Sequence, residues 1–273
     1  MRSTPIFVAD AFTDRAFAGN PAGVCVLDAP APEPWMQSVA AEMRHAETAF
    51  LVPRPDGAWD LRWFTPTVEI DLCGHATLAS AHVLYETGHA DAAAPVAFET
   101  RSGTLTVRPD AGGTLAMDFP ATPPAPAELP DAFAAALGFE PVWGGRSRFD
   151  LFAVAPSEAT VRELAPDAAA VAALGARGVI VTARADSSTE ADVVSRFFAP
   201  GSGVPEDPVT GSAHCAIGPY WAGELGRETL RCEQASPRGG ALTVRARGDR
   251  VDLVGRALTV LRGELVVPPT APS

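Results

Sequence analysis

The chain of 273 residues repeats itself, and that repetition limits its folds more than any other feature. Gly103-Thr104-Leu105-Thr106-Val107-Arg108 returns as Gly240-Ala241-Leu242-Thr243-Val244-Arg245, five of six residues agreeing at an offset of 137. The same offset lays Cys73-Gly74-His75-Ala76 on Thr210-Gly211-Ser212-Ala213, and Glu69 on Glu206. Phe64-Thr65-Pro66 falls on Phe198-Ala199-Pro200 at offset 134, so three residues around Gly201 to Gly203 are inserted in the second copy. Collinear matches with one small gap mark two homologous halves, residues 1–119 and 131–273, whose last strands are free to return to the first half. Residues 120–130 (PATPPAPAELP) carry five prolines and read as a stiff, extended linker.

Each half shows the same local patterns. Residues 103–119 alternate apolar and polar around Asp-Ala-Gly-Gly, and residues 240–255 around Gly248-Asp249, both hairpin signals. Further strands are expected at Ile6–Val8, Gly23–Leu27, Thr48–Val52, Leu61–Phe64, Leu151–Ala155, Gly178–Thr182 and Val193–Phe198. The stretches His75 to Tyr85 and Ser212 to Gly223 contain no charged residue, and a helix without a polar face is a buried one. Trp35 to His45 instead places Met36, Val39, Ala40 and Met43 at helical spacing, an amphipathic surface helix. The expectation is an α+β fold of two pseudo-symmetric halves, each a barrel-like, mostly antiparallel sheet around a central helix.

Composition removes several chemistries. All 21 basic residues are arginine, so a lysine Schiff base and a Walker-type phosphate lysine are impossible. With 33 acidic residues the formal charge is -12, which argues against nucleic acid and against an anionic membrane surface. No apolar run is long enough to span a bilayer, the N-terminus does not read as a signal peptide, and four scattered cysteines do not make a disulfide framework. The chain reads as cytoplasmic. Cys73, His75, His82, His214 and Cys215 match no zinc spacing, and Gly19-Asn20-Pro21 lacks the Gly-Lys pair of a phosphate loop; neither a metal nor another cofactor is expected.

The two glycine-led buried helices are ready anion sites, because first-turn amides lack intrahelical partners and sit at the positive end of the dipole. Their glycines read equally as close packing between strand and helix. Glu47 precedes an apolar strand, either as a solvated end or as a carboxylate whose apolar surroundings raise its pKa. His75 reads as an active or a packing histidine, Asp207 as an acid or turn chemistry, Ser212 as a ligand contact or a helix cap.

Asp10-Ala11-Phe12, Gly19-Asn20-Pro21-Ala22-Gly23-Val24, Ala46-Glu47-Thr48-Ala49-Phe50, Phe64-Thr65-Pro66 through Glu69 to Cys73-Gly74-His75-Ala76-Thr77, and Gly203 to His214 (GVPEDPVTGSAH) together resemble the PhzF-like phenazine-biosynthesis isomerase family. The blocks lie in order across nearly the whole chain. The resemblance implies the diaminopimelate-epimerase-like fold, a site between the halves, a homodimer, and a cofactor-free isomerase that moves a proton along a small carboxylic acid. It implies Glu47 as general acid/base with His75, Asp207 and Ser212 as catalytic partners, and Gly74, Ala76, Gly211, Ala213 and Asn20 around the substrate.

Related epimerases and racemases on such a scaffold use two thiols, one at each glycine-led helix start. Here Cys73 holds the first position but Thr210 the second, and a threonine hydroxyl is too weak an acid to replace a thiolate. Cys73 itself reads as a small buried hydrophobe. Near Glu47's counterpart, Ala176-Arg177-Gly178-Val179 offers no second carboxylate. One base favours moving a proton along one face over inverting a centre. Epimerisation of a small acid, and a scaffold that binds an acid without turnover, remain the competing functions.

Overall fold

Residues 3–269 are described by a computed structural model. Along the first half the elements run β1 (Thr4–Ala11), β2 (Asn20–Val26), α1 (Glu33–Met43), β3 (Glu47–Pro53), β4 (Trp59–Phe64), β5 (Glu69–Ile70), α2 (Gly74–Glu86), β6 (Val96–Thr100), β7 (Gly103–Asp110) and β8 (Thr114–Pro120). The second half continues with β9 (Ala125–Pro126), α3 (Phe133–Leu137), β10 (Trp143–Arg146), β11 (Leu151–Val154), α4 (Glu158–Arg162), α5 (Ala168–Ala172), β12 (Val179–Arg184) and β13 (Val193–Phe198). It closes with α6 (Gly211–Leu225), β14 (Thr229–Gln234), β15 (Gly240–Arg247), β16 (Arg250–Gly255) and β17 (Ala257–Leu265).

The strand pairing repeats. In the first copy β1–β2 is antiparallel, β2–β3 parallel, β3–β4 antiparallel, β4–β6 parallel and β6–β7 antiparallel. In the second, β10–β11, β11–β12, β12–β13, β13–β14 and β14–β15 follow the same sequence of senses. Parallel neighbours need a crossover, and the helices supply it at matching places: α1 or α4–α5 in the first, α2 or α6 in the second.

The chain divides into two compact units at Phe119 and again at Val254. One unit takes the residues up to Asp118 with those from Val254 onward, the other runs Phe119–Leu253. Thus the last strand belongs with the first: β17 pairs antiparallel to β1, Thr4 opposite Leu265 and Ala11 opposite Ala257.

In the first unit α2 packs on β1, β2, β3 and β17, with Leu78, Ala79, Ala81, Val83 and Leu84 wholly buried. Its two buried hydroxyls are satisfied within the helix, Thr77 Oγ1 donating to the Cys73 carbonyl and Ser80 Oγ to that of Ala76. On α1, Trp35, Met36, Val39 and Ala40 join Cys25, Phe50 and Phe64 in a separate cluster, and Arg44 in the left-handed conformation ends the helix.

In the second unit α6 is anchored by Trp221, whose Nε1 donates to Thr182 Oγ1 on β12. Pro219 lies inside α6 and has no N–H for the carbonyl four residues earlier. That carbonyl, of Cys215, accepts instead from the Thr122 amide at 2.9 Å. The proline-rich stretch is therefore not the stiff linker its composition suggests. Ala121 donates to the Asp249 carbonyl, and Ala125–Pro126 pairs with β10, so residues 120–130 are built into the second unit.

The expected strands and the three long helices stand where the patterns place them, within a few residues. The strands β5, β6, β9, β10, β14 and β17 and the short helices α3, α4 and α5 were not read from the sequence. Among the described residues no helix is long and apolar enough to cross a membrane, and the four cysteines are buried and form no disulfide.

Each buried helix carries a histidine that resists protonation. Burial, helped by the charge of His45, pushes His75 from 6.5 down to about 3. Burial pushes His214 to about 4 against the opposing hydrogen bond to the Thr210 carbonyl. Between pH 6.5 and those values the unfolded chain binds protons that the folded chain refuses, so stability is complete above about 6.5 and falls as pH drops, by roughly 1.4 kcal/mol per pH unit for each group. Carboxylates held low, such as Glu158 and Asp192, act with the same sign only in more acid solution. The urea midpoint is expected to fall between pH 7 and pH 5 at unchanged m-value; an unchanged midpoint contradicts this account.

Candidate active site

In the first unit the site begins at the β1–β2 connection. Gly19 has φ +67°, and a Cβ there would overlap the Ala11 carbonyl oxygen, so only glycine fits. This tight approach delivers Asn20, wholly buried, as the first residue of β2. Glu47 opens β3, in register with Ala22 of β2, and His75 is the second residue of α2, following Cys73 and Gly74 at the helix start. The strand openings and the helix N-terminus thus bring Asn20, Glu47, Cys73 and His75 together.

The contacts define the imidazole. Asn20 Nδ2 lies 3.2 Å from His75 Nδ1, and Cys73 Sγ lies 3.5 Å from the same nitrogen. An amide nitrogen only donates, so Nδ1 accepts and the neutral ring carries its proton on Nε2. Nε2 lies 3.2 Å from Glu47 Oε2, off the alignment of a full hydrogen bond, with both side chains largely buried. Burial keeps His75 neutral down to about pH 3, so the ring faces Glu47 uncharged.

Atoms of Glu47, Cys73 and His75 lie within 4.8 Å of one another, a grouping that invites a metal. The ring stands between the other two residues, however, meeting Cys73 through Nδ1 and Glu47 through Nε2. These contacts suit proton handling as well as chelation. Cys73, read from the sequence as a small hydrophobe, is buried yet points its thiol at His75. His82 lies further along α2, 3.9 Å from Glu86.

The second unit places Ser212 where α2 has His75, second in α6 after Thr210 and Gly211. Its Oγ accepts from Arg177 Nη2 at 3.1 Å. Asp207 accepts from Thr210 Oγ1 at 2.5 Å. Gln234, wholly buried at the end of β14, holds this turn: its Nε2 donates to the Asp207 carbonyl at 2.6 Å and its Oε1 accepts from the Thr210 amide at 2.9 Å. His214 Nδ1 bonds the Thr210 carbonyl at 2.8 Å. Asp207 and Ser212 are therefore tied to neighbours beyond those the sequence suggested.

Of the expected substrate contacts, Gly74 and Ala76 lie in the first turn of α2, Gly211 and Ala213 in that of α6. The alanines are buried under each turn. Sequence reasoning missed Arg177, Asp150 and Gln234. For Arg177 a signal existed, since the repeat sets residues 176–179 against Glu47; for Gln234, at the end of a strand, there was none.

The family model of phenazine biosynthesis-like protein, PhzC-PhzF, matches residues 9–263. An uncharacterized isomerase of Halalkalibacterium halodurans is 49% identical over 268 residues, covering 98% of this chain and 100% of that protein. A solved PhzF family phenazine biosynthesis protein from Enterococcus faecalis superposes with a TM-score of 0.92 at 42% identity, over 97% of this chain and 100% of the other. A hydroxyproline epimerase from Agrobacterium vitis, at 12% identity and a TM-score of 0.58 over 97% and 92% of the two chains, shares the fold alone. The α+β fold expected from the sequence patterns, and the epimerase-like fold that the resemblance implies, is the one present, and the chain is a member of the phenazine biosynthesis-like PhzC-PhzF family.

Proposed function

We propose that the protein is a cofactor-independent isomerase that shifts a proton along a small unsaturated, amino or hydroxy acid, with Glu47 as the acid/base. The observation that carries this reading is the Glu47–His75 contact, with the tautomer of His75 set by Asn20. The Glu47 carboxylate takes a proton from carbon, the electron pair moves into the conjugated acid, and the same carboxyl returns the proton to a neighbouring carbon. His75 contributes its Nε2–H beside Glu47 throughout. First-turn amides of the glycine-led helices suit the substrate carboxylate, and Asp207 and Ser212 complete the binding set. The names of relatives, isomerases among them, agree with this class of reaction.

A two-thiol epimerase is the weaker reading. Thr210 stands where a second thiol is needed, and its hydroxyl donates to Asp207. Product chirality separates the two chemistries.

Proton NMR in D2O against a panel of small unsaturated, amino and hydroxy acids tests the reading directly. Wild-type protein is expected to exchange solvent deuterium into at least one acid. Glu47→Gln is expected to slow that exchange by about a hundred to ten thousandfold with little change in folding; a variant keeping more than about a tenth of the rate removes Glu47 from the role. Cys73→Ser, which keeps a donor toward His75, should retain substantial activity, and complete loss would revive a thiol mechanism. Dialysis against a strong chelator should leave the rate intact, whereas loss restored by zinc contradicts the metal-free reading.

A further inference from the structure

At the start of α6 the second unit carries an assembly of its own. Arg177, two residues before β12, directs its fork at Asp150, Nε to Oδ1 at 2.8 Å and Nη2 to Oδ2 at 2.6 Å. The Asp150 side chain is 1% exposed, that of Arg177 41%. The guanidinium centre lies 4.9 Å from the Phe149 ring centroid and 5.8 Å from that of Phe197. Gly178 leaves the room for this, since a Cβ there would overlap the Phe197 ring. Strand register locates the same point in the repeat: Thr48 faces Phe64 and Val179 faces Phe198, so Gly178 holds the place of Glu47. The catalytic carboxylate of one copy is replaced by a bare glycine, beside a guanidinium brought in from the preceding residue.

The paired charges of Asp150 and Arg177 cancel, so Arg177 is not a free cationic anchor for substrate. What it adds is direction, through the bond from Nη2 to Ser212 Oγ. A hydroxyl that accepts from a cation turns its own proton away from that cation and is polarised as a donor. We propose that Arg177, locked by Asp150 beside two aromatic rings, is a positioning residue that holds Ser212 as a hydrogen-bond donor toward an oxygen of the acid substrate. This deepens the proposed function and rests on its reading of Ser212 as a substrate contact.

Two variants separate the role from general stability. Arg177→Lys keeps a cation for Asp150 but offers one ammonium nitrogen in place of the planar fork. Asp150→Asn with Arg177→Met removes both charges of the pair together, so the buried carboxylate is not stranded. The first measurement needs no substrate: the χ1 population of Ser212, from NMR couplings on serine-labelled full-length protein. Wild type is expected to show one rotamer and both variants an average of several. The second is kcat/KM for deuterium exchange of the fastest acid in the panel. Arg177→Lys should lower it tenfold or more, yet have no further effect in a Ser212→Ala background, because both changes remove one interaction. A Ser212 rotamer indifferent to both variants overturns the proposal, as do losses that simply multiply in the double variant. If wild type exchanges none of the acids, the isomerase reading fails while the rotamer result still decides the positioning role.

Discussion

Each unit of this protein has to cover one helix that has almost no face for water. With Leu78, Ala81 and Leu84 buried on α2, and Ala216, Ile217 and Trp221 on α6, each helix must be covered by strands. The alternating parallel and antiparallel pairings are the means, since each parallel pair needs a crossover and each crossover carries a helix. Burying a helix also buries its N-terminus, where first-turn amides have no partner within the helix. In both copies the chain places polar side chains at that end: His75 with Asn20 and Glu47 in one, Ser212 with Arg177 and Asp150 in the other.

The two helix starts have diverged in electrostatic character. In the first, a neutral imidazole faces a carboxylate, an arrangement in which a proton can be taken and returned. In the second, a guanidinium and a buried carboxylate neutralise each other and what remains is a directed hydroxyl. The short Thr210–Asp207 contact and the Gln234 amide tie down the loop leading into α6.

Much of this was legible in the residues because it depends on local pattern. An uncharged stretch of helical length announces burial, and strict alternation around Asp-Ala-Gly-Gly announces a hairpin. The misreadings share a different cause, a partner distant in sequence. The prolines of residues 120–130 suggested a free linker because nothing local reveals that Pro219 leaves the Cys215 carbonyl open for Thr122. Arg177 was weighed only for not being acidic, since the repeat poses the question of a second carboxylate and not of what a cation there would hold. Cys73 looked like a small hydrophobe because its composition and burial fit that role; only the fold turns its thiol toward His75. Gln234 lies at the end of a strand with no motif, and its value is set wholly by the turn it meets.

The pairing of β1 with β17 bears on how the chain is made. The second unit is continuous from Phe119 to Leu253, so its strands through β15 are translated before the sequence beyond it. The first unit has its opening strand early but receives the strand beside it last of all, Thr4 meeting Leu265. Contacts of such separation carry a large loop-closure cost and form late. During synthesis the half translated first therefore waits with one edge of β1 uncovered, and an uncovered strand edge invites pairing with other chains. The unit that holds Glu47 and His75 therefore cannot complete its sheet until the C-terminal strand is available.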